Sequence, residues 1–241
     1  MSNNDIETFA NITHNGLSRY HYERKYYTET VTFYAEGRVP FKVCIVPESL
    51  SHGSLHCHLA EIDIKTRFWH GFTERDVVLD AGHGFGAYTL PPAALGAEVW
   101  GIDPEGMESM HVGFKLSCEA NEWFGGRLHI RQAWLGGKAD PVPHAGENST
   151  GICETITIDS LERPFTWINL DTEGAELDIL RGAERVLREN KPRILLENHL
   201  FLDKDCERNH DTFLAERGYK KMASIVEGAC THSFYVHPEG R

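Results

Sequence analysis

Val77-Val78-Leu79-Asp80-Ala81-Gly82-His83-Gly84-Phe85-Gly86 is the stretch on which the fold turns. Its first half is a short apolar run closing on an acid, and its second half sets a glycine at every other position. An apolar run of this length ending in glycine reads as a buried strand. Glycines let the backbone turn tightly and approach a bound ligand with no Cβ in the way. A strand that feeds such a turn and then a helix forms the ligand-binding corner of an open α/β sheet.

Working outward, EVWGID (98–103), RLHIRQAW (127–134), TWINLD (166–171) and RILLEN (193–198) repeat the strand pattern. Helical stretches are expected between them at 87–95, 106–121, 174–190 and 207–217. Short apolar runs alternating with helices imply βαβ units and a parallel sheet. GYKKMASIV and THSFYVH, joined through Glu227-Gly228-Ala229, read as a closing hairpin. FKVCIV (41–46) reads as a short strand ended by Pro47, and 58–70 as a helix leading inward. The Gly/Pro-rich segment 136–151 reads as an exposed loop. The expected architecture is a Rossmann-like three-layer α/β/α fold, with a mostly parallel seven-stranded sheet and an antiparallel C-terminal hairpin. It spans residues 58–241. Residues 1–57, polar and aromatic, form an N-terminal extension expected to cap the substrate side of the cleft. Tyr20, Tyr22, Tyr26, Tyr27 and Phe33 either stack on a substrate ring there or pack a small satellite core.

Charge narrows the partners. Among 241 residues, 36 acids stand against 24 bases, a net charge of -12. Such a surface repels nucleic-acid phosphates and anionic membranes and suits a neutral or cationic small molecule. No apolar run approaches the roughly 20 residues that cross a bilayer, and the first ten residues lack the pattern of a secretion signal. Six cysteines are scattered without a C-x-x-C pair, as in a reduced cytoplasmic protein. His52, His56 and His58 surround Cys57 in a segment read as a loop bordering the cleft rather than a metal site. A homo-oligomer is compatible with all of this.

The glycine spacing is G-x-G-x-G, not the dinucleotide pattern G-x-G-x-x-G. Asp80 at the strand tip would repel a pyrophosphate, which argues against a nicotinamide-dependent oxidoreductase. A ligand carrying an ammonium and a sulfonium tolerates that acid, which points to S-adenosylmethionine. Asp103 closes the next strand, where a carboxylate accepts the hydrogens of ribose hydroxyls.

With these residues in hand, the chain resembles the FkbM family of S-adenosylmethionine-dependent methyltransferases. VVLDAGHGFGAYTL is similar to that family's first motif, GIDP (101–104) to its second, and TITIDSL (155–161) to the segment before the fourth strand. INLDTEGAELDILRGAERVL (168–187) and PRILLEN (192–198) resemble its most specific block. The likeness covers about residues 58 to 220. It implies that Asp80, Gly82, Gly84 and Gly86, with the intervening His83 and Phe85, surround the methionine part of the cofactor. Asp103 and Pro104 then hold the ribose, and Gln132 and Ala133 flank the adenine. Glu61, Thr89 and Asp171 complete the implied cofactor set. Two positions depart from the family pattern: His83-Gly84 replaces Ala-Asn, and Asn169 stands where lysine is common.

Methyl transfer from a sulfonium is an in-line displacement, helped by alignment and by a base that takes the acceptor's proton. Asp171, Glu173 and His199 are the candidate catalytic residues at the ends of the fourth and fifth strands. A second reading has Asp171, Glu197 and Asn198 holding Mg²⁺ through oxygen ligands. Glu173 and Glu176 are equally explained as acids in the first turn of a helix, and Glu176 as a surface ion-pair partner. The expected function is O-methylation of a small molecule, a sugar or secondary metabolite. The alternatives are N-methylation of a small amine or peptide, and a non-catalytic module that binds S-adenosylmethionine.

Overall fold

The computed structural model describes residues 19–21, 27–45, 58, 61–105, 112–145 and 152–240. Three antiparallel strands come first: β1 (Arg19–His21), β2 (Tyr27–Ala35) and β3 (Val39–Ile45). Helix α1 (Ile62–Phe68) leads into β4 (Val77–Ala81), α2 (Leu90–Ala94), β5 (Glu98–Asp103) and α3 (Val112–Ala120). Next come β6 (Leu128–Gln132), β7 (Trp134–Leu135), β8 (Asp140–Ala145) and β9 (Ile152–Ile156). The chain continues through β10 (Trp167–Leu170), α4 (Glu176–Arg181), α5 (Glu184–Glu189) and β11 (Arg193–His199), and closes with α6 (Cys206–Ala215), β12 (Lys220–Glu227) and β13 (Cys230–Val236).

Seven strands form one sheet in the order β12-β13-β11-β10-β4-β5-β6. Its five central and right-hand strands, β11 through β6, run parallel, and β13 enters antiparallel between β11 and β12. Chain order reverses at β4, so the loops after β4 and β10 open a crevice at the strand tips. The side chains of these strands alternate between two cores, as the period of two requires. Leu79, Ile168, Ile194 and Leu196 face α4, α5 and α6, among Ile179, Val186, Leu187 and Leu214. Val78, Trp167 and Leu195 face the other way, among Ile64, Leu90 and Phe114. The fold is therefore the three-layer α/β/α arrangement with a C-terminal antiparallel hairpin that the sequence implies.

The β2–β3 pair belongs to the second core layer. Phe33, Phe41 and Val43 are buried there with Phe114 and Leu90, and each such side chain contributes about 1.5–3 kcal/mol. The outer edge of β3 is also covered. The Asn121 amide accepts from Lys42 N at 2.8 Å and donates to Lys42 O at 2.6 Å, while Ser117 Oγ accepts from Cys44 N at 2.8 Å. Such side-chain pairing satisfies an edge that would otherwise attract another strand.

Three local expectations are corrected. The segment 136–151 is not a simple loop: 140–145 forms β8, which with β7 and β9 makes a third, small sheet; 146–151 lie outside the described residues. The helix expected over 174–190 is two helices, parted at Gly182, where a Cβ would lie 2.2 Å from the Gly136 carbonyl oxygen. The helix expected over 87–95 shortens to 90–94, because the glycine turn occupies the residues before it. Among the described residues, no helix is long and apolar enough to cross a membrane.

The far face of β11 is tied down by polar contacts. Asn198 is fully buried, donating to Thr231 O, Thr231 Oγ1 and Ser233 Oγ at 2.9–3.1 Å. Its carbonyl accepts from His210 Nδ1 at 2.8 Å, linking α6 to the sheet. Asn198→Ala should strand these groups without partners and lower stability by about 1–3 kcal/mol. Urea unfolding should record a lower midpoint at an unchanged slope.

Candidate functional site

The turn after β4 is shaped by contacts that exclude side chains. Gly82 has φ +80°, and a Cβ there would fall 1.8 Å from the carbonyl oxygen of Asp171. Its N–H donates to Ile102 O at 2.8 Å. Gly86, at φ +82°, would drive a Cβ to 2.3 Å from the Phe114 ring. Between them Gly84 faces open space, and its N–H donates to Asp103 Oδ2 at 3.1 Å. Asp103 Oδ1 accepts from Glu105 N at 2.8 Å. The glycine turn and the tip of β5 are thus joined through one carboxylate. Beside it, Ala133 N donates to Asp103 O at 3.1 Å and the Gln132 amide to Pro104 O at 3.0 Å. His83 does not project into the open space. It is buried, its ring 4.7 Å from that of Phe114, with Nδ1 3.0 Å from Gly84 O.

Asp80 lies beneath this turn, 1% exposed. Its Oδ2 accepts from the Thr89 hydroxyl, and its Oδ1 from the Asn169 amide at 2.9 Å. Burial pushes its carboxyl up to about 6, against an ordinary 3.8, while the Thr89 and Asn169 donors oppose the rise. Asn169 therefore has a local role: where lysine would bring a charge, it brings a neutral donor to the same carboxylate. Asp80 clamps β4, β10 and the start of α2 together, and both its oxygens are committed within the protein.

A second group gathers at the tips of β10, β11 and β13. Half-buried Asp171 has Oδ1 3.5 Å from His199 Nε2. Burial and the facing Glu197, with Glu61 beyond, hold its carboxyl well above the usual range. Glu61, in the left-handed conformation at the N-cap of α1, accepts a short hydrogen bond from the Tyr88 hydroxyl. His199 is buried, with Nε2 3.8 Å from Glu197 Oε1 and Nδ1 3.3 Å from Glu176 Oε1. Burial disfavours the charged imidazole, but Glu176 and Glu197 outweigh it and raise its affinity for the proton. Opposite on β13 stand Cys230 and His232, the latter 3.8 Å from Glu197 Oε1.

The sequence-derived site residues divide accordingly. Asp80, Gly82, His83, Gly84, Phe85, Gly86, Thr89, Asp103, Pro104, Gln132 and Ala133 come together around the turn and the tip of β5. Glu61, Asp171, Glu197 and His199 come together beside it. Asn198 does not join Asp171 and Glu197. It points to the opposite face of β11, and its amide is spent on Thr231, Ser233 and His210, so the oxygen set proposed for Mg²⁺ is not assembled. Glu173 is exposed at φ +51°. Glu176 is buried rather than a surface partner, accepting from Thr172 N and Gly174 N, both at 3.0 Å, which shapes the turn after β10. His58, buried against Phe33 and Phe41 with Nε2 3.3 Å from Phe85 O, is held neutral by burial, down to about 3. His52, His56 and Cys57 lie outside the described residues. Tyr88, Cys230 and His232 were not anticipated; the last two become visible only once β13 is registered against β11.

Residues 127–221 match the sequence profile of the Methyltransferase FkbM domain. The crystal structure of a methyltransferase FkbM from Methylobacillus flagellatus KT superposes with a TM-score of 0.55 at 18% identity, covering 68% of this chain and 44% of that one. The chain thus spans less than half the length of that structure. A precorrin 8w decarboxylase from Methanobacterium thermoautotrophicum gives a TM-score of 0.46 at 17% identity over 72% and 86% of the two chains. The putative methyltransferase yhhF from Escherichia coli gives 0.46 at 12% over 86% and 98%. None of the curated proteins matches the chain. The profile match bears out the later blocks of the FkbM resemblance, 155–161, 168–187 and 192–198, while the first two motifs lie before it, and the fold is that of the superposed methyltransferase FkbM.

Asp80 carries a pH signature. Its raised folded value means the native state holds a proton that the unfolded chain releases, so its contribution is fully present below about 3.8 and is lost as pH rises through about 6. Asp80→Asn should flatten the fall of unfolding free energy across that window. Urea unfolding of both proteins at several pH values reads the difference, and parallel curves would rule out the assignment.

Proposed function

We propose that this chain, whose residues 127–221 carry the match to the methyltransferase FkbM domain, transfers a methyl group from S-adenosylmethionine to a hydroxyl of a small molecule. The observation that supports this most is the link from Gly84 N–H to Asp103 across the tips of β4 and β5. It leaves open space above Gly84 and presents a carboxylate beside it. Asp103 Oδ2 accepts from Gly84 N and Oδ1 from Glu105 N, and a carboxylate oxygen accepts more than one hydrogen bond, as it would from a ribose hydroxyl. Gln132, Pro104 and Ala133 flank that carboxylate on the side assigned to adenine. The carboxylates of Glu61, Asp171 and Glu197 suit the cationic end of the same ligand. Bound S-adenosylmethionine supplies an electrophilic methyl group on a sulfonium.

In this reading the chain's own work is alignment and proton removal. Asp171 follows β10 directly and contacts the glycine turn through its carbonyl, so its carboxylate faces the seam between cofactor and acceptor. It is the base that takes the hydroxyl proton. Glu173 stands at the exposed rim, and His199 steadies the Asp171 carboxylate from behind. The transferase domain takes in β2 and β3, whose Phe33, Phe41 and Val43 lie in its core, as well as residues 58–241, and the acceptor is a small molecule rather than a nucleic acid or a membrane.

Titration calorimetry with S-adenosylmethionine tests the cofactor half. The wild type should bind, and Asp103→Ala should lose at least about tenfold in affinity, since a hydrogen bond to a charged group is worth about 1.5–3 kcal/mol. Absence of wild-type binding, or an unchanged Asp103→Ala, would falsify the proposal. Once a hydroxyl acceptor is found by screening, Asp171→Asn should lower kcat by about 10²–10⁴-fold.

A further inference from the structure

Glu197 and His199 lie two residues apart on β11 and so share a face. The register sets His232 opposite Glu197 and Cys230 opposite His199. Three of these side chains converge: a Glu197 carboxylate oxygen, a His199 ring nitrogen and Cys230 Sγ all lie within 4.8 Å of one another. The His199 Nε2 to Glu197 Oε1 separation is 3.8 Å. That is too long for a hydrogen bond, which spans about 2.7–3.2 Å. It approaches the edge of a tetrahedral shell, about 3.3–3.6 Å when metal–ligand bonds measure about 2.0–2.3 Å.

The imidazole itself is unusual. His199 is 6% exposed, yet its Nδ1 makes no hydrogen bond. Glu176 Oε1 stands 3.3 Å from that nitrogen, and Glu176 is anchored by the backbone of Thr172 and Gly174. A carboxylate anchored beside the remote nitrogen of a histidine, one small ring rotation from a hydrogen bond to it, is placed to orient the imidazole toward a metal. Nε2 meanwhile points to Glu197 and Asp171 without a hydrogen bond to either at ordinary length.

We propose that Glu197, His199 and Cys230 bind a divalent transition cation of the zinc type through one oxygen, one nitrogen and one sulfur. Thiolate and imidazole favour such an ion, whereas Mg²⁺ and Ca²⁺ prefer oxygen alone. Three protein ligands leave a fourth position for water or for a donor atom of a bound molecule. Asp171, 3.5 Å from His199 Nε2, borders that position. The site therefore adjoins the seam assigned above to methyl transfer, but ion binding does not depend on that assignment.

The test uses the full chain without S-adenosylmethionine, so its outcome is independent of methyl transfer. Protein stripped with a chelator is titrated with Co²⁺, then with Zn²⁺ in competition. One equivalent of Co²⁺ should bind with a thiolate-to-metal charge-transfer absorption. Cys230→Ser should abolish that absorption, and His199→Gln should weaken Zn²⁺ binding by at least about tenfold. Wild-type protein gives a reading that needs no variant: Zn²⁺ should protect Cys230 from alkylation, followed by mass spectrometry of its peptide. No cobalt absorption in the wild type, a charge-transfer band that persists in Cys230→Ser, or alkylation of Cys230 at an unchanged rate with Zn²⁺ would each overturn the proposal.

Discussion

The site depends on one close approach of backbone to backbone. At Gly82 a Cβ would fall 1.8 Å from the Asp171 carbonyl oxygen, so only glycine lets the turn after β4 lie against the turn after β10. That contact sets the depth of the crevice. It also closes the space over Asp80, taking a carboxylate out of water at the switch point of the sheet. An unpaired buried charge costs several kcal/mol. Two hydrogen bonds to a charged group return about 1.5–3 kcal/mol each. The two are of similar size, which explains why Asp80 settles at an intermediate proton affinity, about 6, and not at either extreme.

Asn169 decides whether Asp80 meets a neutral donor or a charge. A lysine at that position would neutralise Asp80 with a charge; asparagine gives it a neutral hydrogen bond instead. Asp103, Glu61, Asp171 and Glu197 line the crevice above the buried Asp80, with Lys65, 5.0 Å above the Tyr88 ring, as a nearby cation. A unit positive charge about 5 Å from one carboxylate gains on the order of 3 kcal/mol at an effective dielectric near 20. Several such carboxylates make the crevice a place where a cationic group is held strongly and an anionic one is excluded. The same field argues against a pyrophosphate more forcefully than glycine spacing does.

The sheet was legible because its inner parallel strands β4, β10 and β11 are buried on both faces and carry apolar runs, such as Val77–Leu79 or Ile194–Leu196. The N-terminal β2 was not, since its Thr, Glu and aromatic residues alternate and give no apolar run; its partner β3 was read as a strand. β8 was hidden by Pro141 and Pro143, residues that reduce strand propensity but are tolerated at an edge. The break at Gly182 followed from a contact with Gly136, distant in sequence. Within the site, the glycine turn and Asp103 were readable because they are local to strand tips. Cys230 and His232 were not, because the register of β13 against β11 is a tertiary fact. Asn198 is the instructive miss: a period of two already separates it from Glu197 and His199.

That alternation on β11 has a consequence for how the domain is assembled. Its odd-numbered side chains, Glu197 and His199, face the crevice with Cys230 and His232, while Asn198 faces α6 through His210. The strand is held from one side so that the other can present groups with few internal partners. Such groups are costly to bury, and the Asn198 contacts, with the Glu207 ladder to Thr231, Ser233 and Lys221, oppose that cost by fixing the pair β11–β13 in register. The matched segment 127–221 supplies Asp171, Glu197 and His199, but the glycine turn precedes it and Cys230 follows it. The crevice is complete only when both flanks have folded onto the central strands, so loss of the C-terminal hairpin removes chemistry as well as an edge of the sheet.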